Sequence, residues 1–323
     1  MNVRRLLPPV LASALALLLT ALMLTISAGA AQAKPAPERD YPRMPRVCAS
    51  AKDKIPQKPV VCRLNQYNVT KPTIQLWGDS HAWMMIPALK KAAQKQKINL
   101  IATMMGGCPP MDNQVSEGEA APGCYHGNRM ALEFAEDTLA RGNGLSIVIG
   151  ASWQRYRKAL KTRDQTYTGQ MARAMTSGTP RLARTLAGLG AEVDVIGQVA
   201  TVPEVRKTCK RDNSPYACNV PRKQALQDEK GTKAWVTKMF RPATPGQLIN
   251  VNGYFCSSST CRGFVKKTYT WWDDLHISAS MSTLLNGYLA PTVTNLVGVD
   301  EPDKPNNPGG GGGDDCTLLI LCR

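Results

Sequence analysis

The sequence predicts an α/β fold, a three-layer α/β/α sandwich around a mostly parallel central sheet. From residue 73 onward, short apolar runs typical of strands alternate with longer segments of helical character, and this alternation favours parallel strand pairing. The run at 145–149 has the clearest character of a buried strand. The chain has 323 residues, 43% of them hydrophobic, which is enough to bury the core of one such domain.

The elements are predicted in a regular order. The strands are expected at residues 74–77, 98–103, 145–149, 193–199, 248–254 and 264–268. The helices are expected from residue 80 to about 97, and at 129–140, 165–189, 222–239 and 278–296, while 104–128 is predicted to be a loop rich in Gly and Pro. Ligands of parallel sheets bind at the carboxyl ends of the strands, so the turn after the first strand is the expected place for a site.

Segments of different composition flank this predicted domain, which is assigned to residues 71–300. Residues 1–33 have the pattern of a signal peptide: Arg4 and Arg5, an apolar run, and a small-x-small cleavage site at 31–33. An uncleaved anchor is the alternative, because the apolar run is long for a signal peptide. Residues 34–70 are predicted to be an irregular, basic arm rich in Pro and Lys, and 301–323 a Gly-rich linker with a Cys-flanked tail.

The ten cysteines fit an exported protein. Sequence alone does not fix their connectivity, but pairing each with its neighbour would close five local loops. Those pairs are Cys48–Cys62, Cys108–Cys124, Cys209–Cys218, Cys256–Cys261 and Cys316–Cys322. A zinc site is the weaker interpretation, because the chain has no CxxC motif and only three histidines. We therefore expect no metal and no other cofactor.

The chain is strongly basic, with 40 Lys and Arg against 24 Asp and Glu and a net charge of +16. This balance favours anionic partners, although it also fits a basic protein without such a partner. Export and the lack of a recognition motif argue against nucleic acid. Cell-wall or surface glycans and other anionic polymers of a bacterial envelope are the expected partners.

The first predicted strand runs into Gly78-Asp79-Ser80 and then into a helix. A serine hydroxyl is a weak nucleophile that needs a base within hydrogen-bond reach, and the base needs an acid to orient it. On this turn the hydroxyl of Ser80 would be exposed, and its amide would point toward negative charge at the start of the helix. The alternative is that Ser80 only caps the helix.

His276 is the histidine best placed to serve as that base. His81 adjoins Ser80 and is expected to be carried away by the helix, while His126 lacks an acid at a suitable spacing. An acid three residues before a histidine on one loop can turn back to the ring Nδ1 and fix its tautomer. Asp273 has this spacing to His276, so Ser80, His276 and Asp273 are the predicted triad.

These motifs resemble the SGNH hydrolase superfamily, whose fold is flavodoxin-like, and more closely the extracytoplasmic SGNH domains associated with acyltransferase-3 membrane proteins. The resemblance covers residues 70–298 and rests on the residues 76–82, the Gly-Cys-Pro-Pro at 107–110, Ser152-Trp153 and the residues 273–278. It implies an acyl-serine intermediate, with Ser80 as nucleophile, His276 as base and Asp273 as the orienting acid. The acyl groups, commonly acetyl, would be those of cell-surface sugars.

The chain departs from the superfamily pattern at the oxyanion donors. The Ser80 amide is the first expected donor, and Gly106 or Gly107, here assigned to Gly107, supplies the glycine amide. The expected asparagine is missing, because Ser152 and Trp153 follow the strand at 145–149. Ser152 would then donate instead, and Trp153 would line the acyl pocket or pack in the core. Losing one such donor costs about 10²–10³ in rate.

The predicted function is therefore an exported serine esterase or O-acyltransferase acting on envelope polysaccharide. No polytopic membrane domain is found in the sequence, so the acyl donor is expected from solution, from a lipid or from a separate membrane acyltransferase. Two alternatives remain. The charge and the missing asparagine fit a non-catalytic, basic wall-binding module, and the apolar tail and the tryptophans near His276 fit a lipase-like esterase.

Overall fold

The computed structural model describes residues 39–49, 54–112, 122–202, 219–243 and 246–297. The strands in these ranges are β1 (Val60–Arg63), β2 (Thr73–Gly78), β3 (Asn99–Met104), β4 (Leu145–Gly150), β5 (Glu192–Ile196), β6 (Val220–Pro221), β7 (Leu248–Ile249), β8 (Thr260–Cys261), β9 (Phe264–Val265) and β10 (Thr268–Tyr269). The helices are α1 (Ser80–Trp83), α2 (Ile86–Gln96), α3 (Pro122–Ala140), α4 (Trp153–Lys161), α5 (Tyr167–Gly188), α6 (Arg222–Ala225), α7 (Glu229–Phe240), α8 (Ala279–Leu284) and α9 (Asn286–Val297). Two short 3₁₀ helices span Arg241–Ala243 and Val251–Tyr254.

The central sheet has the strand order β1-β3-β2-β4-β5-β7. The pairs from β3 to β7 are parallel, and β1 is antiparallel to β3 at the edge. The prediction of a mostly parallel sheet is therefore confirmed. The register places Gly78 opposite both Met104 and Gly150, so the turns after β2, β3 and β4 leave the same edge of the sheet at the same level.

Alternating side chains of the buried strands pack against helices on the two faces. In β4, Ile147 and Ile149 belong to one core cluster, and Val148 belongs to the other. Helices α2, α8 and α9 cover the face of Val148, and α3, α4, α5 and α7 cover the opposite face. The strands are buried on both faces, as expected for a parallel sheet, so the three-layer prediction is also confirmed.

Several element boundaries differ from the prediction. Helix α3 starts inside the segment predicted to be a loop, and α4 was not predicted at all. The segments predicted as strands at 248–254 and 264–268 contain only two-residue strands, a 3₁₀ turn and the β9–β10 hairpin. Each of the helices predicted at 80–97, 222–239 and 278–296 is divided in two. Short polar and aromatic stretches carry too little periodicity to fix such elements.

The segment predicted as an irregular arm contributes to the domain. Its residues 60–63 form edge strand β1, and the carboxylate and carbonyl of Asp40 accept hydrogen bonds from Ser280 and Ala279 at the start of α8. Three predicted disulfides are present: Cys48–Cys62, Cys108–Cys124 and Cys256–Cys261. The predicted pairs Cys209–Cys218 and Cys316–Cys322, the segment 1–33 and the tail 301–323 lie outside the described residues.

No helix in the described ranges has both the length and the apolar character needed to cross a membrane.

Candidate active site

The turn after β2 brings Ser80 to the carboxyl edge of the sheet. Gly78 has φ +149°, and a Cβ on it would lie 1.8 Å from the Gly150 carbonyl oxygen, so only glycine fits this position. Asp79 is the N-cap of α1, and its carboxylate accepts from the His81 amide. Ser80 is the first residue of α1, where a backbone amide has no acceptor within the helix.

Asp79 links this turn to the turn after β4. Its Oδ1 accepts from the His81 amide at 2.8 Å, and its Oδ2 accepts from the Ser152 amide at 3.0 Å and the Tyr156 hydroxyl at 3.0 Å. Burial raises the pKa of Asp79, and the hydrogen bonds from Ser152, His81 and Tyr156 oppose that rise. The carboxylate thus holds the start of α1 against the start of α4.

Replacing Asp79 by Asn is expected to lower the free energy of unfolding by about 1–3 kcal/mol. The side-chain amide of asparagine has only one acceptor oxygen. Its NH₂ group would therefore face at least one of the three groups that donate to the carboxylate. Chemical denaturation measures the loss, and Asp137→Asn on the exposed side of α3 is the control. Equal stability of wild type and Asp79→Asn would show that these hydrogen bonds do not hold the turn.

The loop before α8 places His276 against Ser80. Trp271 and Ile277 pair as an antiparallel bridge that closes the loop, and the indole of Trp271 donates to the Ala200 carbonyl at 2.8 Å. His276 Nε2 lies 2.7 Å from Ser80 Oγ. Its Nδ1 lies 2.9 Å from both carboxylate oxygens of Asp273. The structure therefore brings the three predicted triad residues together, with the separations a Ser–His–Asp relay requires.

Asp273 is positioned to stay ionised. Burial raises the pKa of its carboxyl, but the hydrogen bond and charge of His276 together with the amides of Leu275 and His276 outweigh burial, and the pKa is lowered overall. Its Oδ1 accepts from those amides at 2.9 Å and 2.8 Å. An ionised carboxylate at Nδ1 keeps the proton on that nitrogen and leaves Nε2 free to accept from Ser80.

His81 lies beside the triad, contrary to the expectation that the helix carries it away. The residue is 4% exposed, and the centroid of its ring lies 5.3 Å from that of His276. Both ring nitrogens lack a partner among the described residues. Burial, followed by the charge of His276, lowers the pKa of His81 to about 3, so the ring is neutral at physiological pH. His81 follows Ser80 directly in α1, and its ring packs against that of His276 at an interplanar angle of 53°.

The pKa of His81 predicts a loss of stability in acid. Because the pKa is about 3 in the folded chain and 6.5 for the free side chain, the unfolded state binds the extra proton between these values. The free energy of unfolding is therefore unaffected by His81 above pH 6.5. Below that pH it falls by about 1.4 kcal/mol per pH unit until pH 3 is reached. Urea denaturation at several pH values in this window gives the free energy of unfolding as a function of pH. This free energy should fall more steeply with decreasing pH for wild type than for His81→Gln. Parallel slopes would contradict the assignment.

The three predicted oxyanion donors follow adjacent strands at one edge of the sheet. The Gly106 amide donates to the Pro56 carbonyl at 2.9 Å, whereas the Gly107 amide has no acceptor among the described residues and is able to donate to a ligand. Gly107 has φ +69°, a value that favours glycine. The Ser152 amide is bound to Asp79, and its hydroxyl does not cap α4, so that hydroxyl is the group still able to donate.

The predicted acyl-pocket role of Trp153 is not supported. The residue borders a cleft next to the site, but its side chain is 1% exposed and packs edge-to-face on Phe240 with centroids 5.8 Å apart. Its indole donates to the Ile196 carbonyl at 2.7 Å. The structure favours the alternative of core packing, because β5 and α7 enclose the ring.

The fold and the site define an α/β protein with a Ser–His–Asp arrangement at the carboxyl edge of a parallel sheet. A family model described as "SGNH domain (fused to AT3 domains)" matches residues 47–291. The chain belongs to this family. The family and the geometry of the site together support an esterase or an acyl-transfer enzyme. A search of curated proteins finds no significant match.

Solved structures similar to this chain include two that are named for acetyl-group chemistry. The periplasmic domain of a lipopolysaccharide acetyltransferase from Salmonella ser. Paratyphi A aligns with TM-score 0.45 and 14% identity, over 70% of this chain and 85% of that one. A carbohydrate acetylesterase family member from Sinorhizobium meliloti aligns with TM-score 0.37 and 12% identity, over 71% of this chain and all of that chain.

Proposed function

We propose that this protein is an exported serine esterase or O-acyltransferase that acts on acyl groups, in the first place acetyl, of envelope polysaccharide. The observation that carries the proposal is the hydrogen-bonded series from Ser80 Oγ to His276 Nε2 and from His276 Nδ1 to Asp273. A helix cap alone would not need a base 2.7 Å from the serine oxygen.

In the first step, Ser80 attacks the carbonyl carbon of the ester. His276 Nε2 takes the hydroxyl proton as the new C–O bond forms, and Asp273 stabilises the resulting imidazolium. The carbonyl oxygen gains the negative charge, and the amides of Ser80 and Gly107 and the hydroxyl of Ser152 are the donors assigned to it. His276 then protonates the departing alcohol, which leaves the acyl group on Ser80.

In the second step, a hydroxyl attacks the acyl-serine. His276 takes its proton and returns it to Ser80 Oγ as the bond to the serine breaks. When water attacks, the products are a free acid and the enzyme, and when a sugar hydroxyl attacks, the acyl group is transferred. The same residues perform both reactions, so the acceptor decides between esterase and transferase.

The chemistry next to the triad supports a polar substrate. The cleft near the triad is lined by Val199 and Leu275 and by amide and cationic side chains, including Gln154, Arg155 and Lys158. The tryptophans that motivated a lipase are buried: Trp271 is 2% exposed and Trp272 is 6% exposed. Trp272 stacks on His276 with centroids 5.9 Å apart, so it orients the base. A sugar ester fits these surroundings better than a long acyl chain.

Three disulfides in the structure support the proposed export, since such bonds persist in oxidising compartments. The proposed acyl donor is a small ester in solution, a lipid or a separate membrane acyltransferase.

The test follows acetyl groups from a labelled donor ester in the presence of an acetyl-free glycan. Labelled glycan would identify transfer, and labelled free acetate alone would identify hydrolysis. Both products must disappear in Ser80→Ala. Product formation that continues in Ser80→Ala, or no product with any acetyl ester, would count against the proposed function and leave the wall-binding alternative.

A further inference from the structure

A cleft with a volume of about 180 Å³ opens next to the triad on the side of α4. Two lining residues fix its place: His81 follows Ser80, and Leu275 precedes His276. Ser152, the residue whose amide binds Asp79, is also part of the lining. A group held in this cleft therefore lies close to the triad, next to the chain neighbours of Ser80 and His276.

The cleft carries unneutralised positive charge. Arg155 and Lys158 lie one turn apart on α4 and line it, and neither has a carboxylate within 4.0 Å in the described part of the chain. On the same helix, Arg157 and Lys161 both pair with Asp228. The helix thus directs its paired cations away from the cleft and its unpaired cations toward it.

Two residues that line the cleft also hold buried polar atoms without partners in the described part of the chain. Gln198 is 9% exposed, and its NH₂ group donates to Gln154 and to the Gln227 carbonyl, while its Oε1 has no donor among the described residues. Both nitrogens of the buried His81 ring are likewise without partners in that part of the chain. Buried polar atoms usually have hydrogen-bond partners, so these atoms are available to a water or to a ligand hydroxyl group.

We propose that this cleft is a subsite for an acidic sugar, in which Arg155 and Lys158 bind a carboxylate or phosphate and Gln198 and His81 bind ring hydroxyls. The inference rests on the proposed function for its assignment to a glycan substrate. Cations and amide groups together match an anionic sugar better than a neutral glycan or an apolar acyl chain. The subsite would place a neighbouring O-acyl group at Ser80.

The test measures binding, so it does not depend on turnover. The full chain carrying Ser80→Ala is titrated with a hexuronate oligosaccharide, with its methyl ester and with a sugar phosphate of the same length. We expect the acid or the phosphate to bind about tenfold more tightly than the uncharged ester, since two partly exposed charge contacts contribute about this factor. Comparison of carboxylate with phosphate identifies which anion the subsite takes.

Adding Arg155→Gln and Lys158→Gln should abolish the preference for the anion. The matched control is Lys91→Gln, an exposed lysine on α2, on the opposite face of the sheet, which should retain it. Equal binding of the charged sugars and the ester, or an equal loss with Lys91→Gln, would overturn the proposal. If the protein prefers the anionic sugar but shows no Ser80-dependent turnover, the subsite is retained and the proposed function is rejected. If turnover depends on Ser80 but binding shows no preference for the anion, the subsite alone is rejected.

Discussion

Replacing Ser80 by Ala is expected to reduce hydrolysis of p-nitrophenyl acetate by about 10⁴-fold or more. The nucleophile is lost, and the residual rate comes from binding and the oxyanion donors. His276→Ala should cause a similar loss, and the double variant should be hardly worse than either single variant, because the two residues act as one unit. Steady-state kinetics at saturating ester give these ratios.

The control for Ser80→Ala is Ser258→Ala, which removes an exposed hydroxyl from the loop before β8. It should retain wild-type turnover. Thermal unfolding should show that this control, the two single variants and the double variant all fold. Turnover that survives in Ser80→Ala with an unchanged kcat would mean that another group attacks the ester.

Replacing Asp273 by Asn is expected to lower kcat by about 10³–10⁴-fold with little change in fold. The NH₂ group of Asn donates a hydrogen bond where the carboxylate accepts one, so the proton of the neutral imidazole moves from Nδ1 to Nε2. A protonated Nε2 cannot accept the proton of Ser80. The backbone amides of Leu275 and His276 can still donate their hydrogen bonds to the remaining side-chain oxygen, so the loop keeps its shape.

Asp274→Asn is the matched control for this change, one residue along the same loop. The buried Oδ1 of Asp274 has no hydrogen-bond partner among the described residues, and both carboxylate oxygens within hydrogen-bond distance of His276 Nδ1 belong to Asp273. Loss of the Asp274 carboxylate should therefore change kcat only a few-fold. Comparable losses in the two variants would assign the effect to the charge of the loop and exclude an orienting role for Asp273.

The sheet and the triad residues could be predicted because local patterns encode them. Apolar runs such as 145–149 are buried on both faces in the structure, as their composition indicates. Asp273 lies three residues before His276 on one loop, and this spacing alone lets its carboxylate reach the histidine ring. Adjacent strands then bring distant turns to one edge, which is how Ser80 and His276 meet although 196 residues separate them.

The surroundings of the triad could not be predicted because they depend on tertiary contacts. The position of His81 depends on its packing against His276, which belongs to a distant loop, and no residue pattern marks that contact. Helix α4 is short and basic, and its Tyr156 reaches Asp79 only after both turns are packed. The one available signal was the spacing of Trp153, Tyr156 and Ala159, which are buried on one face of α4.

The central claim is that Ser80 forms a covalent acyl intermediate with the help of His276. The most direct measurement is mass spectrometry of the intact protein after brief exposure to an activated acetyl ester, followed by peptide mapping. The account predicts one added acetyl group on the peptide that contains Ser80, and none on this peptide in Ser80→Ala or His276→Ala. Acetyl groups confined to lysines, or an equal yield on Ser80 in the His276→Ala protein, would contradict it.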